Sequence, residues 1–137
     1  MKVACKSNNL HDILDPHTST RLNRYIFKSD GEIDLDIGRE YIVYGIEFWD
    51  NCPWFYLCSD EEDEYPKPYA AEFFEVIDEH FSKYWRLRSI PSGERENSTA
   101  LVFDEWAKDP GFYERLIDGD EQAIVTFEKY KTLMNSE

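Results

Sequence analysis

Five consecutive carboxylates, Asp60, Glu61, Glu62, Asp63 and Glu64, form the densest run of ionisable groups in the chain. Three kinds of chemistry use such groups. A calcium loop needs alternating oxygen ligands, a glycine at its sharp turn and a distant glutamate, and the run has none of this spacing. A general acid–base pair needs two carboxyls in environments different enough to separate their pKa values, whereas five adjacent acids share one environment. The third use is electrostatic. A row of anions pairs with lysine and arginine side chains of a protein partner and occupies a groove that otherwise takes phosphate or RNA. The plain structural alternative is a solvated hairpin tip whose charges keep strand edges from pairing with other chains.

Aromatic residues crowd both sides of this run. Trp49 and Trp54 flank a turn and are expected at the surface, where Trp and Tyr serve as interface anchors. Tyr65 and Tyr69 bracket the proline-spaced "YPKPY" and join the expected partner-binding set. Phe73, Phe74 and Trp85 are expected in the core, because aromatics are the main apolar payload of a small domain. His11, His17 and His80 lack partners at metal-ligand spacing and are expected on the surface, so no metal site and no cofactor are expected. Cys52 lies in a turn. Cys58 faces the acid run, which opposes thiolate formation, so neither is an expected nucleophile. No phosphate-binding glycine loop, dinucleotide fingerprint or nucleophile elbow is present. A catalytic role is not expected.

The chain has 137 residues, 16% aromatic and 32% charged, with a net charge of −14. That length suits one domain with a real core. The charge argues against nucleic acid and anionic membranes as partners and favours fast capture of a basic one. Residues 59–79 alone carry nine acids and one base, while 80–93 carry three bases and no acid. In "KYWRLRSI" the arginines are expected to pair with local acids. Three cysteines, an odd number, and an N-terminus without a long apolar stretch point to reduced thiols in the cytoplasm.

The elements that must position these groups read as strands first and helices later. "KVACKS" has strand composition. Residues 8–20 read as a long loop, "RYIFKS" as a short strand, and "LDIGREYIVYGIEFW" as the clearest strand, with a bend or bulge at Gly45. "WFYLC" returns as the second arm of a hairpin. "AAEFFEVID" reads as a helical turn leading into a strand, and "KYWRLRSI" as one more strand. "PSGEREN" is a hinge. Beyond it, "STALVFDEWAKD" has helical spacing through Val102, Phe103 and Trp106. Asp109 reads as an N-cap with Pro110 at the first helical position. Gly119 ends that helix and Asp120 caps a last one, whose stripe is Ile124, Phe127, Tyr130, Leu133 and Met134. About five strands followed by about three short helices make an α+β fold. The expected division is a β domain over 1–90 and a helical extension over 91–137 packed on it.

The strings "IGREYIVYGIEFW", "WFYLCSD", "YPKPYAAEFFEVID" and "SKYW", spanning roughly residues 35–87, resemble a group of short bacterial proteins with SH3-like barrels. Some of these look like immunity proteins of polymorphic or contact-dependent toxin systems. The resemblance implies a small SH3-like antiparallel β-barrel and a non-enzymatic protein that neutralises a basic toxin domain. Asp60–Glu64 with Trp49, Trp54, Tyr65 and Tyr69 would then meet the partner. The alternative is an SH3-like peptide-binding or regulatory module.

Overall fold

The computed structural model describes residues 1–26, 30–50, 52–90 and 98–137. Eight strands form two antiparallel sheets: β1 (Lys2–Cys5), β2 (Glu40–Ile42), β3 (Gly45–Trp49), β4 (Cys52–Leu57), β5 (Lys67–Ala70), β6 (Phe74–Asp78), β7 (Trp85–Ile90) and β8 (Ser98–Phe103). One sheet has the order β2-β1-β6 and the other β5-β4-β3-β8-β7. The α+β class holds, with eight strands among the described residues in place of about five. Among the described residues the two sheets do not close into the single SH3-like barrel that was expected.

The long strand read over 35–49 breaks where the chain passes from one sheet to the other. Val43 N–H donates to the Met1 carbonyl at 3.1 Å, and Tyr44 N–H to the Tyr56 carbonyl at 2.8 Å. Adjacent residues thus bond to different sheets. Gly45 follows at once. A Cβ there would lie 3.0 Å from Val102 Cγ1 and 3.3 Å from the Leu101 carbonyl. The bulge or bend expected at Gly45 falls instead at Val43–Tyr44, just before it; Gly45 opens β3 and serves close approach between β3 and β8. The second crossing is a 3-10 turn, Ala71–Phe73, between β5 and β6.

Four expectations give way to tertiary context. Residues 98–103 are not helical: β8 lies between β3 and β7, pairing Ile46 with Leu101 and Trp85 with Phe103. Its alternating burial, with Ser98, Ala100 and Val102 inside, fits a strand of period two. The five-stranded sheet therefore takes in residues 98–103, and the C-terminal helices begin at α2 (Asp104–Lys108). Asp109 ends α2, and α3 (Phe112–Ile117) starts beyond Gly111, whose N–H donates to Asp109 Oδ1 at 2.9 Å. Residues 8–20 are not all loop. They hold a 3-10 turn, Leu10–Asp12, and α1 (Pro16–Leu22), capped by Asp15, which accepts from Thr18 N–H. The Asp15-Pro16 pair is a helix-start signal inside a polar stretch. Arg24 and Tyr25 lie in a turn after α1 and Ile26 is in no strand; residues 27–29 and the hinge at 91–97 lie outside the described residues.

Gly119 has φ of 81° and ends α3, and Asp120 caps α4 (Glu121–Asn135) by accepting from Gln122 N–H, as the sequence indicates. These helices bury aromatics on the five-stranded sheet. Phe103 stacks on Tyr130 at 4.2 Å, Tyr44 meets Phe127 at 5.5 Å, and Trp106 meets Tyr56 at 4.9 Å and stacks on Tyr113 at 5.4 Å. Each such pair contributes about 0.5–1.5 kcal/mol beyond the area it buries. Phe73, Phe74 and Trp85 are buried as expected.

Candidate functional site

The acid run lies in the loop between β4 and β5. Leu57, wholly buried, ends β4, and Pro66, also buried, precedes β5. Between them two of the acids build the turn. Asp63 Oδ2 accepts from the Ser59 hydroxyl at 3.0 Å and from Asp60 N–H at 3.1 Å, and Asp60 Oδ1 accepts from Glu62 N–H at 3.2 Å. Partial burial alone would raise the Asp63 carboxyl, but these donors and Lys67 hold it below the usual range. Asp60, Glu61, Glu62 and Glu64 are exposed and Asp63 is half-buried.

The C-terminal helices hold the loop from behind. Lys131 on α4 donates to the carbonyls of Glu61 and Asp63, and the Tyr113 hydroxyl on α3 donates to the Pro66 carbonyl at 2.8 Å. The helices therefore support the acidic tip.

A second acidic wall comes from residues 32–36. Ile33 and Leu35 turn inward, leaving Glu32, Asp34 and Asp36 exposed on the alternate positions. Backbone bonds fix this segment: Ile33 N–H to the Asn8 carbonyl at 2.8 Å, and Leu10 N–H to the Gly31 carbonyl at 2.8 Å. Gly31 has φ of 71°, and a Cβ there would lie 3.1 Å from Leu10 Cβ. Glu32, Asp34 and Asp36 line one cleft of about 420 Å³ together with Asp60 and Asp63, and Arg39 and Lys67 are the cations in its lining. The period-two alternation of acids with Ile33 and Leu35 is the sequence signal for this wall, and reading only the contiguous run passes over it.

The aromatic set divides. Trp54, expected at the surface, is buried at 6% exposure, and its indole N–H donates to the Trp49 carbonyl at 2.9 Å. Trp49 is half-buried. Tyr25, beyond α1, meets both rings edge-on at 4.8 and 5.1 Å, and its hydroxyl donates to Asp50 at 2.8 Å. These rings lie at the β3–β4 turn, at the other end of β4 from the acid run, so they do not flank the acidic tip. Tyr65 and Tyr69 are half-buried. Tyr69 does adjoin the acids: burial pushes its phenol up to about 12, a hydrogen bond with Ser59 opposes this, and the charges of Asp34 and Asp63 add to it. Tyr69 and Trp54 also line an apolar pocket of about 210 Å³ that shares Glu32, Ile33 and Asp34 with the acidic cleft.

Burial first, with Asp63 adding, pushes the Cys58 thiol up to about 12, and burial also raises Cys5 and Cys52. The three histidines are exposed. Arg86 donates to the carbonyls of Lys83 and Trp85, so it finds backbone where a carboxylate was expected. Glu47 is a buried carboxylate that sequence reading did not single out. It accepts from the Tyr56 hydroxyl at 2.6 Å and the Ser98 hydroxyl at 2.5 Å. Among the described residues no group of three His, Cys, Asp or Glu is placed to hold a metal ion, and no helix is long and apolar enough to cross a membrane.

No family model, curated protein or solved structure matches the chain.

Proposed function

We propose that this protein is a non-catalytic binding protein that captures a basic protein domain on its acidic face, as an immunity protein captures a toxin. The observation that carries this reading is the meeting of Glu32, Asp34 and Asp36 with Asp60 and Asp63 around one cleft. Two segments some 25 residues apart bring five carboxylates to one cleft against two cations, Arg39, which pairs with Asp36 at 3.7 Å, and Lys67, so the cleft keeps an excess of negative charge that costs energy when unmatched. A cationic partner matches it, and the surrounding −14 field speeds its approach. The finer fold reading is an SH3-like strand arrangement left open as two sheets, and the strands that change sheet at Val43–Tyr44 and through the turn at Ala71–Phe73 support it. A cytoplasmic setting agrees with three unpaired cysteines.

The test is capture of the product of the neighbouring gene by the full chain, with and without the substitutions Asp34→Lys, Asp36→Lys, Glu61→Lys and Glu62→Lys. All four positions are exposed, so the fold should survive. The expected result is loss of capture in the reversed protein and weakening of wild-type capture as salt rises. Equal capture by both proteins would remove the electrostatic reading.

A further inference from the structure

The apolar pocket over β4 and β5 lies beside the acidic cleft but is different in kind. Leu22, Trp54 and Phe73 make a buried floor, and Tyr25, Ile33 and Tyr69 make half-buried walls. Its volume is about 210 Å³. A cavity of about 150 Å³ already accommodates a benzene ring. The described residues that line it include no Lys, Arg or His, and its rim carries the exposed carboxylates of Glu32 and Asp34.

That combination restricts what can enter. An anionic ligand is repelled at the rim, and a neutral apolar molecule gains nothing from the carboxylates. A ring or branched aliphatic chain with a cation beside it satisfies both parts: the apolar group leaves water in the pocket, and the cation pairs at the rim. We infer that this pocket receives one large apolar side chain of the cationic partner, with a lysine or arginine close to it in sequence held by Glu32 and Asp34. The inference rests on the proposed capture of a basic protein and names the contact that anchors it. The division of labour follows: the exposed acids of the loop govern the rate of encounter, and the pocket governs the rate of release.

Three short peptides test this on the full chain by two-dimensional NMR: acetyl-Arg-Phe-Arg-amide, acetyl-Gln-Phe-Gln-amide and acetyl-Arg-Gly-Arg-amide. The Trp54 indole N–H and the Ile33 and Tyr69 amides report the pocket. The first peptide should move these signals, and the other two should bind about fivefold more weakly or worse, since each lacks one of the two contacts. Glu32→Gln with Asp34→Gln should reduce the first peptide to the affinity of the second while the rest of the spectrum stays in place. The inference is overturned if the pocket signals stay still with the first peptide, if the uncharged peptide binds as well, or if a proline-rich peptide moves them more strongly. Hexalysine separates the two levels. If it shifts the amides of residues 60–64 while the pocket stays silent to Arg-Phe-Arg, the anchor fails and the electrostatic reading stands. If neither peptide binds, both fall.

Discussion

Lys131 Nζ lies 2.5 Å from the carbonyl oxygen of Glu61, across 70 residues of sequence. It also reaches the Asp63 carbonyl at 3.2 Å. One ammonium from the last helix therefore holds the backbone of the acidic tip. The side chains of Glu61, Glu62 and Glu64 remain at the surface with their charges facing outward.

Replacing Lys131 with Met should free the tip without unfolding the protein. The two carbonyls can turn to water, so the expected loss is about 1 kcal/mol. Hydrogen exchange at the amides of residues 61–63 should quicken relative to wild type, while amides in β3 and β4 should not change. Unaltered exchange at the tip would show that the Ser59, Asp60 and Asp63 bonds hold the loop alone.

Gly45 and Val102 should behave as a coupled pair. Gly45→Val drives a branched side chain into Val102 Cγ1 and should cost about 1–3 kcal/mol through overpacking. Adding Val102→Ala should recover part of that loss, whereas independent sites would lose more. Urea midpoints of the two single variants and the double variant decide between these outcomes.

Glu47 should resist change in proportion to the hydrogen bonds removed. Glu47→Ala removes an acceptor from the buried Tyr56 and Ser98 hydroxyls and should cost about 1–3 kcal/mol. Glu47→Gln keeps an acceptor oxygen and should cost less. Equal stability of the two variants in urea would mean that the hydroxyls find other partners.

Alkaline pH should weaken the fold. Burial foremost raises the Cys58 thiol from 9.0 to about 12 and the Tyr69 and Tyr130 phenols from 10.0 to about 12. Below about pH 9 both states keep these protons and the contribution is fully present. Between about pH 9 and 12 the unfolded chain releases protons that the folded chain retains, so stability falls. The urea midpoint should therefore drop steadily over that interval, and Cys58→Ala should make the drop shallower. A midpoint that holds level or rises would contradict the sign.

Local chemistry was legible where one short stretch decides the outcome. Gly119 and Asp120 ended one helix and began the next as read, because a left-handed residue and a side-chain cap act within a single turn. The hairpin of β3 and β4 followed from two apolar runs about a turn. The Cys58 thiol was read as raised in pKa by the acid run, and it is raised, although burial outweighs the neighbouring acids as the cause.

Where partners lie far apart in the chain, the sequence left the choice open. "STALVF" fits a helix by its apolar spacing, but β3 and β7 offer backbone bonds on both sides, and their pairing outweighs a weak local preference. Trp54 looked like a surface anchor until Tyr25, from beyond α1, closed over it. By itself the sequence determined an acidic α+β chain with a charged loop after its central hairpin, since charge and hydrophobic period are written residue by residue. Only the tertiary structure joined Asp34 and Asp36 to Asp60 and Asp63 in one cleft with an apolar pocket beside it, because a surface is assembled from segments whose meeting depends on the packing of everything between them.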